Sequence, residues 1–260
     1  MKTLARTGGG RGTNQYRRQG SSSAGVEPRL SHSQSWKYWP PEQWSAVVRD
    51  LPEEDRLEMA RHPACPPNLL ARLSRDPYWI VHYAVAENAN TPKSTLRRLG
   101  TRDDPYVMEN LARNVNCPRD IQLKLTSSHR KTVQGALAGN PNCDPAALVL
   151  LAESGVDQDV AYTSLRHPRL PLSHMTTIAR LGPGWQRSTI LRRPDLPATV
   201  VAEMVQDSNP EIRHMAAKHP NCPAAALEQL LRDKELFVRQ AAADHPDLSP
   251  ATRAMWQLAQ

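Results

Sequence analysis

A 26-residue beat runs through this chain and leaves few folds open to it. It is clearest at His219-Pro220-Asn221-Cys222-Pro223, which leads into a run of Ala, Leu, Glu and Gln. The residue at the Cys222 position returns as Cys65, Thr91, Cys117, Cys143, Leu170, Leu196, Cys222 and Leu248. The steps are 26 residues, with one of 27 between Cys143 and Leu170. A fixed period of this size marks a solenoid and overrides the one or two globular domains that 260 residues would otherwise suggest.

Offsets counted from this anchor separate two segments in each unit. Upstream, an apolar residue stands ten before it (Val81, Val107, Val133, Val160, Ile212, Val238), and a small or apolar one stands five before it (Ala60, Ala86, Ala112, Ala138, Leu165, Leu191, Ala217, Ala243). Downstream, a proline usually follows directly and is expected to open a helix. Leu73, Leu99, Leu125, Leu151, Ile178, Met204, Leu230 and Trp256 stand eight after the anchor, most with an apolar partner three or four residues earlier. Such gaps are helical and leave no place for strands. The downstream segment predicts an α-helix of about ten residues, and the upstream one a shorter α-helix or 3₁₀ piece. Between units five and six, Gly182-Pro183-Gly184-Trp185 predicts a turn rather than a helix start, with a bend or looser packing there and around Gly155-Val156-Asp157.

The ends differ from the middle. Residues 1–34 hold six Lys or Arg against one Glu, so five of the net +7 charges lie there among Gly and Ser runs; this predicts a disordered basic arm. Trp36, Tyr38, Trp39 and Trp44 then open an aromatic segment, 35–51, expected to cap the first repeat. Residues 52–260 hold the eight units. No apolar run is long enough to span a membrane, and four cysteines without a secretion signal suit a reducing cytoplasm.

The pattern resembles the leucine-rich repeat variant family. Ile212-Arg213, Ala217, Pro223, Leu227 and Leu230 stand at that family's repeat positions. Val238-Arg239, Ala243 and Trp256 repeat them, as do Val81-His82, Ala86, Pro92, Leu96 and Leu99. The resemblance implies an all-α, right-handed solenoid of alternating α and 3₁₀ helices without a β-sheet. The first described member of that family also carries a cysteine-rich iron–sulfur module. Residues 1–60 contain no cysteine, so that cofactor is not carried over and none is expected.

Candidate chemistry is sparse. The anchor position exchanges Cys for Leu, which describes a buried apolar slot rather than a metal ligand. Stacked units at helix-packing separation, about 8–10 Å, also hold two such cysteines too far apart for one tetrahedral ion or a disulfide. Three residues before the anchor stand His62, Asn88, Asn114, Asn140, His167, Arg193, His219 and His245, polar residues suited to hydrogen-bonding a turn. Neither a nucleophile constellation nor a phosphate-binding glycine loop occurs, so no enzyme is expected.

Arg187, Arg213 and Arg239, nine before the anchor in consecutive units, would line one face and could grip acidic side chains or phosphates. Asp207 and Asp233, six residues before Arg213 and Arg239, offer internal partners instead. Arg192, Arg193, His214 and Lys218 add charge nearby. Trp256 ends the array without a following repeat, so self-association through that end is a further option. The leading expectation is a cytoplasmic, non-catalytic scaffold that binds another protein. Its rival is nucleic-acid binding by Arg11, Arg17 and Arg18 of the arm together with the Arg187/Arg213/Arg239 face. Arg193, His219 and Trp256 complete the candidate binding residues.

Overall fold

The computed structural model describes residues 35–154 and 157–259. The arm with Arg11, Arg17 and Arg18, and the Gly155-Val156 link, lie outside the described residues. Among the described residues there are seventeen α-helices and no strand. Each repeat is a helix pair. The first four pairs are Glu53–Arg61 with Pro67–Leu73, Trp79–Glu87 with Lys93–Leu99, Pro105–Arg113 with Arg119–Leu125, and Lys131–Ala138 with Pro145–Glu153. The last four are Gln158–Arg166 with Leu172–Leu181, Gly184–Ile190 with Ala198–Met204, Pro210–Ala217 with Ala224–Leu230, and Leu236–Asp244 with Pro250–Leu258.

Both members of every pair are α-helical, which departs from the implied α/3₁₀ alternation. The 3₁₀ character survives only at helix ends, as where Ala226 N–H bonds Pro223 C=O at 2.9 Å before the α bond from Leu227 at 3.0 Å. The two remaining 3₁₀ turns, Trp36–Tyr38 and Pro41–Gln43, precede the repeats. Against expectation, the second helix is the longer one in only two pairs, and in five of the eight it has seven residues. The proline after the anchor explains the lost turn. Pro92, Pro118, Pro197 and Pro223 sit at the N-cap rather than inside the helix, with ψ between 142° and 146°, so the helix begins one residue later.

Consecutive first helices pack side by side along the whole array. The alanines five before the anchor make this possible. They are fully buried, and a methyl group there lets neighbouring backbones approach closely. The valines ten before the anchor and the leucines eight after it close the core between the two helix layers. Second helices touch one another less, so grooves open between them.

The Gly182-Pro183 stretch is not a loose turn. Pro183 is the N-cap of Gly184–Ile190, so the linker shrinks to two residues, and Leu172–Leu181 packs directly on Ala198–Met204. Gly182 is required there. A Cβ would stand 2.8 Å from the Ile178 carbonyl oxygen.

At the N-terminal end Trp36 and Trp44 are buried against repeat 1. Their rings meet edge to face at 5.1 Å, and Trp36 Nε1 donates to Asp55 at 3.2 Å.

Candidate binding surfaces

The position three before the anchor does more than hold a turn. Asn114 Nδ2 donates to the carbonyls of Ala86 (2.7 Å) and Asn88 (3.0 Å) in the preceding repeat, while its Oδ1 accepts the Asn116 N–H at 2.8 Å. Asn88 and Asn140 repeat the arrangement. Histidine does the same with its two ring nitrogens. His167 Nδ1 accepts the Arg169 N–H at 3.1 Å and Nε2 lies 3.0 Å from the Asn140 carbonyl, so the proton is on Nε2. His219 and His245 follow suit, reaching Arg193 O and His219 O.

Arg193 is part of this ladder and not of a charged surface. It is buried, donates to Leu165 O and His167 O, and lays the rest of its fork on Asp195. Arg253 closes the ladder at the C-terminal end. It takes Ala243 O at 2.8 Å and His245 O at 2.7 Å, the carbonyls that a ninth repeat's side chain would claim. At the other end Trp44 covers the ring of His62 edge to face, 5.1 Å between centroids.

Burial pushes the pKa of His167 down, which opposes the bond to Asn140 O. His82, lowered by burial and then by Arg102, and His174, lowered by burial, act in the same sense. A depressed folded-state pKa means that the unfolded chain binds protons more readily. Stability is therefore full above about pH 6.5, the ordinary imidazole value, and falls as pH drops from there toward the folded values. Thermal melts at descending pH are expected to show this loss, and His167→Asn, which keeps the ladder, to reduce it. Equal pH dependence in both proteins would contradict the assignment.

The arginines nine before the anchor are largely consumed internally. Arg213 forms a two-pronged pair with Asp233 at 2.6 and 2.9 Å, and both side chains are buried. Arg187 is ion-paired with Asp207, Nη2 donating at 3.0 Å and Nε lying 2.6 Å from the carboxylate. The partner carboxylate thus lies twenty residues ahead. The expected link to the residue six behind exists too, but through its backbone: Arg213 donates to Asp207 O and Arg239 to Asp233 O, both at 2.8 Å. Arg187 and Arg213 are therefore not free cations, and the expected binding face on repeats 6 to 8 loses two of its three arginines. A fourth member escaped the sequence reading: Arg56 pairs with Asp76 at 2.7 and 3.0 Å, again twenty apart.

The anchor slot is buried in all eight repeats. Burial alone raises the thiol of Cys65 to about 12 and that of Cys222 to about 11, and it is the main cause of the values of about 12 for Cys117 and Cys143. These thiols stay protonated and packed. No group of His, Cys, Asp and Glu able to hold a metal ion occurs among the described residues.

The relationship rests on repeat 7. Residues 210–235 match the family described as Leucine rich repeat variant. The match covers one period; the buried anchor slot recurs in the other seven, and the alanine five before it in five of them. Among solved structures, a similar fold is described as a leucine-rich repeat variant with a novel repetitive protein structural motif. It is 22% identical, covers 77% of this chain and 84% of that chain, and has a TM-score of 0.49. No curated protein sequence matches the chain.

Several exposed apolar side chains lie in the last repeats of the array. His214 and Phe237 stack at 5.3 Å beside a groove of about 370 Å³ that Lys218, Ala241 and Pro246 also line. Leu236, Met255 and Leu258 are exposed nearby in sequence, with Leu258 90% accessible. Trp256 packs partly on the core, and its buried Nε1 has no hydrogen-bond partner. His219 belongs to the ladder, while Trp256 and Arg239 are the sequence candidates that lie in the last repeat. No helix among the described residues is long and apolar enough to cross a membrane.

Proposed function

We propose that this helical-repeat chain is a non-catalytic scaffold that binds a partner protein through repeats 7 and 8. The observation that carries this reading is the apolar groove at Phe237. Phe237 stays 39% exposed although an ordinary repeat position could have carried a polar residue, as Glu211 does one repeat earlier. An exposed aromatic in a groove with a polar rim (Lys218, Gln240 and Asp244) has the anatomy of an interface hot spot. Selection of displayed peptides on the immobilised full chain tests it. Peptides with a shared apolar residue are expected, and Phe237→Asp should weaken them at least about tenfold while leaving the circular dichroism unchanged. Peptides bound equally well by both proteins would contradict this site. A second copy of the chain as the partner predicts concentration-dependent sedimentation that the same substitution removes.

A further inference from the structure

A cluster of arginines lies elsewhere among the described residues, at the N-terminal repeats. A groove of about 600 Å³ between the second helices of repeats 1 and 2 is lined by Arg49, Arg56, Arg72, Arg75 and Arg98, with Asp76 as its one acid. Arg56 already occupies that carboxylate. The other four guanidinium groups form no ion pair among the described residues.

Part of this cluster has a structural job, and the job leaves nitrogens over. Seven after the anchor stand Arg72, Arg98 and Lys124 in consecutive repeats, and each reaches back to a backbone carbonyl of the segment before it. Arg72 Nη1 takes Ser45 O at 2.9 Å, Arg98 Nη2 takes Ala71 O at 3.0 Å, and Lys124 Nζ takes Gly100 O at 2.8 Å. Lysine therefore suffices for the bridge. The arginines bring additional donors, and Arg72 Nη2 and Arg98 Nε are buried without any hydrogen-bond partner. A buried charged donor left unmatched is costly, and a bound anion would supply the missing acceptor. Arg98 is also pushed down from its ordinary pKa by burial and by the nearby charges of Arg75 and Arg102, as expected where cations crowd without a counter-ion.

The cations continue past this groove. Arg102 donates to His82 Nδ1 at 3.0 Å, and a further groove of about 520 Å³ is lined by Lys124, His129 and Arg130 with one acid, Asp103. One phosphoryl group needs two or three donors, whereas a track across three repeats fits a chain of phosphates. Exposed aromatic rings begin two residues after Pro77, which lines the first groove. Trp79 and Tyr106 are 51% and 62% exposed, and Tyr83 joins them at centroid distances of 5.1 and 5.4 Å. A basic groove together with accessible aromatic rings on the neighbouring repeats is the combination that holds single strands, because every base offers a face for stacking.

We propose that this arginine groove of repeats 1 and 2 binds the phosphate backbone of single-stranded nucleic acid, with Trp79 and Tyr106 as stacking platforms for its bases. The site is separate from the Phe237 groove and stands independently of the protein-binding reading.

Fluorescence anisotropy with labelled oligo-dT and oligo-U, on the full chain, tests it. Four phosphate contacts predict a log–log salt slope near about −3, or roughly fiftyfold weaker binding at roughly 200 mM than at roughly 50 mM salt. Arg49 and Arg75 are exposed and bridge no backbone, so Arg49→Gln with Arg75→Gln should leave the fold intact and reduce the slope by about 1.4. Trp79→Ala should weaken single strands by about tenfold. Phe237→Asp should change nothing, which separates this result from the test above. Replacing Arg11, Arg17 and Arg18 with Gln should retain most of the affinity. The proposal is overturned by absence of binding at low salt, by binding that the arm variant abolishes and the groove variant does not, or by duplex bound as tightly as single strands. Tighter binding of poly-glutamate would overturn it as well, and assign the groove to an acidic protein segment.

Discussion

Asn114→Ala is expected to lower the unfolding free energy by about 3–4 kcal/mol and the melting temperature by about 10 °C. Asn114 is buried and makes three hydrogen bonds that no other side chain can replace. Its loss leaves the Ala86 carbonyl without a donor inside the stack, a penalty of about 1–3 kcal/mol, and removes two further bonds worth about 1 kcal/mol each. The Asn88 carbonyl suffers less, because the Thr91 N–H still reaches it at 3.0 Å. Asn114→His should cost only about 1 kcal/mol, since the ring nitrogens of His167, His219 and His245 satisfy the same slot with one bond fewer. Urea unfolding with an unchanged m-value measures both. Equal costs for Ala and His would show that the slot is not a hydrogen-bonding position.

Arg213→Met should cost about 3–5 kcal/mol, because it strands the Asp233 carboxylate in a buried site. The exposed pair of Arg97 and Asp120 has similar geometry at 2.9 Å but sits in water, so Arg97→Met should change stability far less than Arg213→Met does. Adding Asp233→Leu to Arg213→Met is expected to recover part of the loss, giving a coupling of about 1–3 kcal/mol in the double-mutant cycle. Hydrogen bonds from Arg213 hold the Asp233 carboxyl below its usual range. That stability is present above about pH 4 and drains away as pH falls through the lower folded-state value, and Arg213→Met, which leaves the carboxyl buried without its partner, should weaken or reverse the dependence. Additive single mutants would contradict the pairing.

The sequence displayed whatever the repeat period could reveal. The eight anchor residues are buried because a position exchanging Cys with Leu can only be apolar, and the alanines five before them mark the close face of the first helices. The Asn and His column was visible as a set of turn residues, and the bond to the N–H two residues on confirms that half of its role. The other half, the reach into the preceding repeat, joins residues 26 and 28 apart and has no local signature. Arg193 was misread for the same reason. Its charge suggested surface, yet its position in the Asn and His column placed it in the ladder. The ion pairs did leave a trace, since Arg56/Asp76, Arg187/Asp207 and Arg213/Asp233 share a spacing of twenty residues. Looking six residues behind each arginine instead found the backbone partner and missed the carboxylate. The arginine groove was hidden because Arg49, the Arg72/Arg75 pair and Arg98 come from three separate segments, and only the packing of the N-terminal cap and repeat 2 against repeat 1 brings them together.

The central claim is that one hydrogen-bonded ladder, closed by Arg253, ties all eight repeats into a single rigid scaffold. Amide hydrogen exchange followed by NMR tests it directly at the N–H groups of Asn90, Asn116, Asn142, Arg169, Asn221 and Asp247. Each lies in a connecting turn and donates to a ladder side chain. Slow exchange at all six, comparable with the buried helices, is the predicted result. Exchange at the rate of an open loop, at any run of consecutive repeats, would show that the ladder is broken there and contradict the account.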